Sequence, residues 1–180
     1  MIANILNALT LSRILCAVLI YLILYLESNY QGALFLFFLA SFSDFLDGYL
    51  ARKTNSVTVL GEILDPIADK LLIVFVLIGL SVSLDSFLIG FISAVIISRE
   101  IWVAALRDIN ARNNQSDKTK VTSLAKIKTA VQMLAILIYL FGLTLNNMMI
   151  LFFADIILII AMLITIQTGF QYTVSTFNNE

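Results

Sequence analysis

The sequence predicts an all-α integral membrane protein: a six-transmembrane-helix bundle with both termini cytoplasmic, preceded by a short interfacial helix. Three observations carry this. Of 180 residues, 61% are hydrophobic and only 13% are charged, too little polar surface for a soluble domain of this length. Apolar runs of bilayer-crossing length recur along the whole chain. Every Lys and Arg lies near the N-terminus, in the 52–70 connection, or between Arg99 and Lys128. Six spans with both ends inside place all of these cations on one side, as the positive-inside bias requires. The whole of 1–180 reads as one membrane domain.

Residues 1–10 are apolar but broken by Asn4 and Asn7, which suits a helix lying at the interface. The apolar runs follow at 11–26, 33–51, 65–84, 87–107, 123–143 and 147–169. The third opens on Asp65-Pro66, where Pro suits a first helical turn. The links near Glu27-Ser28-Asn29, from Ser83 to Asp85, and at Asn146-Asn147 hold no cation and face outward. Lys53 to Thr58 is polar and turn-like, and Asp108 to Ser123 reads as a solvated cytoplasmic loop. Trp102 is an interfacial anchor, and the tail from Gln171 reads as loose. Asp155, in the outer half of the last span, has no partner visible in the sequence. It is expected to make a helix–helix contact, within the chain or across a homodimer. Cys16 stands alone, so no intrachain disulfide forms. The net charge of −1 says little about partners, and no nucleic-acid partner is expected.

Charge is concentrated in one stretch. Asp44, Asp47, Gly48 and Ala51 fall at i, i+3, i+4 and i+7, one stripe of a helix. Gly61, Asp65 and Asp69 form a second stripe at i, i+4 and i+8. Side by side, such helices converge four carboxylates on one small volume, which requires cations or protons to hold them there. With no His and one Cys in the chain, oxygen ligands point to a hard cation, Mg²⁺ or Mn²⁺. Gly48 and Ala51 leave room for a flat group against the backbone, and Arg52 offers a planar fork for a phosphate oxygen. The combination reads as a diphosphate site. An intramembrane ion pathway, or small residues serving helix packing alone, is the competing reading.

The run from Asp44 to Asp69 is D-x2-D-G-x2-A-R-x8-G-x3-D-x3-D. It resembles the signature of the CDP-alcohol phosphatidyltransferase family at every fixed position. Asn7, Thr10 and Arg13 are similar to an Asn-x-x-Thr-x-x-Arg that opens the first span of many relatives, which commonly carry Pro where this chain has Leu6. Ser98-Arg99-Glu100-Ile101, Ala105-Leu106-Arg107 and Lys126-x-Lys128-Thr129-x-x-Gln132 look like the bacterial glycerol-phosphate branch, with Ala125 where relatives often have Gly.

The resemblance implies transfer of a phosphatidyl group from CDP-diacylglycerol to sn-glycerol 3-phosphate in a bacterial-type cytoplasmic membrane, with the active site facing the cytoplasm. It implies a two-metal site of Asp44, Asp47, Asp65 and Asp69, with Asp69 also the base that takes the proton of the attacking hydroxyl. CDP-diacylglycerol would lie on Asn7, Thr10, Gly48, Ala51, Arg52, Thr58 and Gly61. Helix capping is the plain alternative for Asn7 and Thr58. An acceptor with its own phosphate needs further cations, and Arg99, Arg107, Lys126 and Lys128 are the candidates. A structural ion pair is the plain alternative for Arg99 and Glu100, and snorkelling for one Lys. Rival functions are a cardiolipin synthase, with phosphatidylglycerol as acceptor, and a cation-coupled transporter. The transporter predicts matching halves, and no such symmetry is found in the sequence.

Overall fold

A computed structural model describes residues 2–54, 59–119 and 123–178. Among the described residues there are six long helices and no strand: α1 (Ile2–Leu26), α2 (Tyr30–Thr54), α3 (Val59–Ser83), α4 (Phe87–Arg112), α5 (Ser123–Thr144) and α6 (Met148–Phe177). A single 3₁₀ turn, Ser116–Thr119, follows α4. Helices of 25 residues, as α1 to α3 are, run about 38 Å, longer than a bilayer's hydrocarbon core.

The helices end where the sequence allows the chain to turn. Ser28, Asp85, Asn114 and Asn146 adopt positive φ of 50°, 46°, 56° and 48°, closing α1, α3, α4 and α5. Short polar side chains tolerate that left-handed conformation best after glycine. Restarts are capped: the Ser86 hydroxyl accepts from the Ile89 amide, and Asn147 Oδ1 accepts from those of Met149 and Ile150. The links at Ser28, Asp85 and Asn146 are the three cation-free turns expected from the sequence.

α1 packs against α2 and α3, α4 against α3 and α6, and α5 against α2 and α6. α1 lies close against α3 at Gly79, where a Cβ would stand 3.0 Å from Leu24 Cδ1 and 3.4 Å from Tyr21 Cα. Ile20, Leu24, Phe37, Leu72, Leu80 and Ile136 are sealed in a core belonging to the cation-free half. The outside is apolar as well, with Leu15, Phe35, Phe87, Met148 and Phe170 all largely exposed. That inversion suits lipid as the surrounding solvent. Four helical segments, Asn7–Leu26, Phe87–Arg112, Ile127–Thr144 and Met148–Phe177, are long and apolar enough to cross a membrane. The chain is an integral membrane protein of helices. α2 and α3 carry the acidic stretch in one half of their length, which shortens their apolar part.

Four expectations are corrected. The opening residues form no separate interfacial helix: α1 runs unbroken from Ile2 to Leu26, and the Thr10 and Arg13 side chains are buried in the bundle. Pro66 does not begin α3 but lies seven residues inside it, so the helix tolerates one missing amide. The segment after Asp108 is not a free loop: α4 continues to Arg112, and Lys118 Nζ donates to the Thr176 carbonyl. The tail from Gln171 is helical to Phe177, with Tyr172 and Thr176 buried and the Asn110 amide donating to the Thr176 hydroxyl at 3.0 Å.

Candidate active site

Three carboxylates from α2 and α3 meet two polar groups of α1. Thr10 and Arg13, three residues apart, share one face of α1 and are both sealed from solvent. The Thr10 hydroxyl donates to Asp65 Oδ1 at 2.7 Å. Arg13 Nη1 lies 2.7 Å from Asp69 Oδ1 and 3.0 Å from Asp44 Oδ1. One nitrogen therefore touches the acids of both signature stripes. Asp44 and Asp69 are no farther apart than those two contacts allow, although 25 residues separate them in sequence. A fully buried guanidinium is tolerable only with such pairing.

The donor set is carboxylate oxygen, the chemistry of a hard divalent cation. Among the described residues no three acidic, His or Cys side chains form a cluster able to hold an ion unaided. The Arg13 guanidinium sits between Asp44 and Asp69 and brings positive charge where the acids need it. The side chains of Asp47, Arg52, Thr58 and Lys126, and the surroundings of Gly48 and Ala51, lie outside the described residues. Asn7, in the second turn of α1, and Gly61, in the first turn of α3, are half-buried.

A second cluster adjoins the first. Glu100 of α4 is the hub: Arg99 Nη1 donates to its Oε1 at 2.9 Å, Lys128 Nζ contacts the same oxygen, and Lys70 Nζ lies 3.4 Å from Oε2. The ion pair weighed as the plain alternative for Arg99 and Glu100 is thus formed. The paired groups nevertheless line open space. A cavity of about 520 Å³ is lined by Asp69, Lys70, Arg99, Glu100, Arg107, Lys128 and Gln132 on its polar side. Leu71, Val74, Ile97 and Ile101 supply its apolar wall. Three of the four expected acceptor cations therefore share one space with the expected base.

The sequence reading assigned no role to several residues at this site. In the sequence Arg13 stands out only as the end of the Asn-x-x-Thr-x-x-Arg run, although an Arg inside a first span calls for a counter-charge. Lys70 follows Asp69 directly and carried no separate signal. From α6, Thr168 accepts from Arg99 Nη2 at 2.9 Å, and Thr165 accepts from Gln132 Nε2 at 2.9 Å. Read from sequence, that helix offered hydrophobicity alone. Asp155 makes the expected helix–helix contact within the chain: Tyr139 of α5 donates to its Oδ1 at 2.9 Å.

Residues 3–167 match the protein family described as CDP-alcohol phosphatidyltransferase. The chain is similar to the CDP-diacylglycerol–glycerol-3-phosphate 3-phosphatidyltransferase of Rickettsia bellii, 43% identical over 173 residues, 94% of this chain and 93% of the relative. A protein of the same name from Haemophilus influenzae is 37% identical over 168 residues, covering 91% of this chain and 88% of its own. The one from Escherichia coli is 33% identical over 135 residues, 74% of each. Asp44 and Asp69 joined through Arg13, a family match over residues 3–167 and relatives aligned over 74–94% of the chain agree: the chain belongs to the CDP-alcohol phosphatidyltransferase family.

Proposed function

We propose that the chain transfers a phosphatidyl group from CDP-diacylglycerol to sn-glycerol 3-phosphate, giving phosphatidylglycerol phosphate and CMP. The observation that carries this reading is the shared cavity, which joins Asp69 to Arg99, Arg107 and Lys128. An uncharged acceptor would need no such group of cations beside the base. The apolar wall of the same cavity suits an acyl chain of the lipid donor.

Asp44, Asp47, Asp65 and Asp69 would hold a pair of divalent cations, Mg²⁺ or Mn²⁺. Bound there, the ions would neutralise the diphosphate and the charge developing on the departing CMP. The protein's own groups do the rest. Thr10 and Arg13 orient Asp65, Asp69 and Asp44 from α1. Gly48, Ala51 and Arg52, with Asn7, Thr58 and Gly61, receive the nucleotide. Arg99, Arg107, Lys126 and Lys128 fix the phosphate of the acceptor so that its free hydroxyl faces the phosphatidyl phosphorus. Asp69 takes the hydroxyl proton as the new P–O bond forms and the bond to CMP breaks. Six spans, including α2 and α3, would turn this end of the single domain to the cytoplasm, where glycerol phosphate and CTP-derived nucleotide are found.

Membranes containing the chain, given CDP-diacylglycerol and one alcohol at a time, test the reading. CMP release with sn-glycerol 3-phosphate is the expected result. Release with phosphatidylglycerol instead would make the chain a cardiolipin synthase.

A further inference from the structure

We infer that the last helix sets the acceptor end of the site: Thr168, Gly169 and Tyr172 of α6 are positioning residues that hold the guanidinium groups of Arg99 and Arg107. This rests on the proposal that those arginines receive the acceptor's phosphate. The three residues stand at i, i+1 and i+4, on one side of α6, beyond residue 167 where the family match ends.

Each acts by a separate contact. Thr168 Oγ1 lies 2.9 Å from the Ile164 carbonyl and 3.0 Å from that of Thr165, so its proton is committed to its own helix. Its oxygen is left to accept from Arg99 Nη2 at 2.9 Å. The Arg99 fork is thereby held between Thr168 on one side and Glu100 on the other. Gly169 gives the Arg99 stem its path, for a Cβ there would stand 2.9 Å from Arg99 Cγ. Arg99 is only 9% exposed, so the stem has little room to give way. The Tyr172 ring lies 5.7 Å from Arg99 Cζ and 5.6 Å from Arg107 Cζ, within cation–π range of both. One ring thus sets the spacing of two cations that line the same cavity. The Nε of each arginine is buried without a hydrogen-bond partner among the described residues, leaving donor capacity beside that cavity.

The test is steady-state kinetics of the full-length chain in vesicles of CDP-diacylglycerol and neutral lipid, with thermal midpoints measured alongside. Arg99→Ala is the reference variant. Thr168→Val keeps the shape of the side chain and removes its acceptor, and it should raise KM for glycerol 3-phosphate roughly tenfold, the loss expected for one hydrogen bond to a charged group. KM for CDP-diacylglycerol should stay unchanged. Thr168→Ser should restore the parental value, while Gly169→Ala and Tyr172→Leu should shift the same constant in the same direction as Thr168→Val. If Arg99→Ala raises that KM and none of the α6 variants does, the inference fails and the acceptor site stands. Both KM values rising together with a fall in thermal midpoint would also overturn it, because a merely structural role acts that way. An Arg99→Ala variant with unaltered KM overturns the inference and the acceptor-site assignment alike.

Discussion

Arg13 Nη1 lies 2.7 Å from Asp69 Oδ1 and 3.0 Å from Asp44 Oδ1, so a single buried nitrogen joins the two acidic stripes of α2 and α3. Removing it sets two carboxylates against each other. Breaking a fully buried pair costs about 3–5 kcal/mol. Because Asp44 and Asp69 keep about a third of their surface, Arg13→Ala should cost about 2 kcal/mol. Saturating divalent cation should recover part of that loss by supplying the charge. Thermal unfolding with and without Mn²⁺ checks this; an equal loss in both would show that Arg13 and the metal site are unrelated.

Asp69→Asn retains an oxygen for the site but no longer accepts a proton. Turnover should fall by roughly a hundredfold or more, the usual worth of a general base. Much of the CDP-diacylglycerol affinity should survive. Asp44→Asn and Asp65→Asn should instead lose metal and nucleotide together. Nucleotide binding measured beside CMP release separates the two outcomes, and full activity in any of the three contradicts the assignment.

The approach of Asp44 to Asp69 was legible in the sequence because helical spacing alone aligns each stripe, and the cation pattern aligned their ends. The partners of these acids were less so. Nothing in a run of residues reveals that Arg13 bridges two other helices, since that depends on how α1 packs between them. Hydropathy counts Thr168 and Tyr172 as neutral members of an apolar span, whereas in space they face Arg99 and Arg107. Polar composition likewise suggested a loose tail, yet Thr176 meets Asn110 in the interior. Pro66 misled for a local reason: a Pro is most at home in a first turn, and α3 begins earlier.

Lys128→Ala and Arg107→Ala should raise the requirement for glycerol 3-phosphate about tenfold, as loss of a charged hydrogen-bond donor does. The requirement for CDP-diacylglycerol should move far less. Lys128→Ala leaves Glu100 still paired with Arg99 and Lys70, whereas Glu100→Gln strands all three cations, so Glu100→Gln should be the more destabilising of the two. Saturation curves for each substrate and thermal melts of both variants test these statements.

Tyr139→Phe removes the hydrogen bond to Asp155, far in sequence from the signature residues. It should lower stability by about 1 kcal/mol. Both KM values should stay at their parental levels. A selective change in either constant would place that pair in the catalytic machinery instead.

The account turns on carboxylates of α2 and α3 gripping the same ions around a diphosphate. Equilibrium dialysis of Mn²⁺ against the purified chain, with CDP-diacylglycerol present, measures this directly. Two ions bound per chain, with marked loss of binding in both Asp44→Asn and Asp65→Asn, is the predicted result. Unchanged Mn²⁺ binding when either acid is replaced would contradict it.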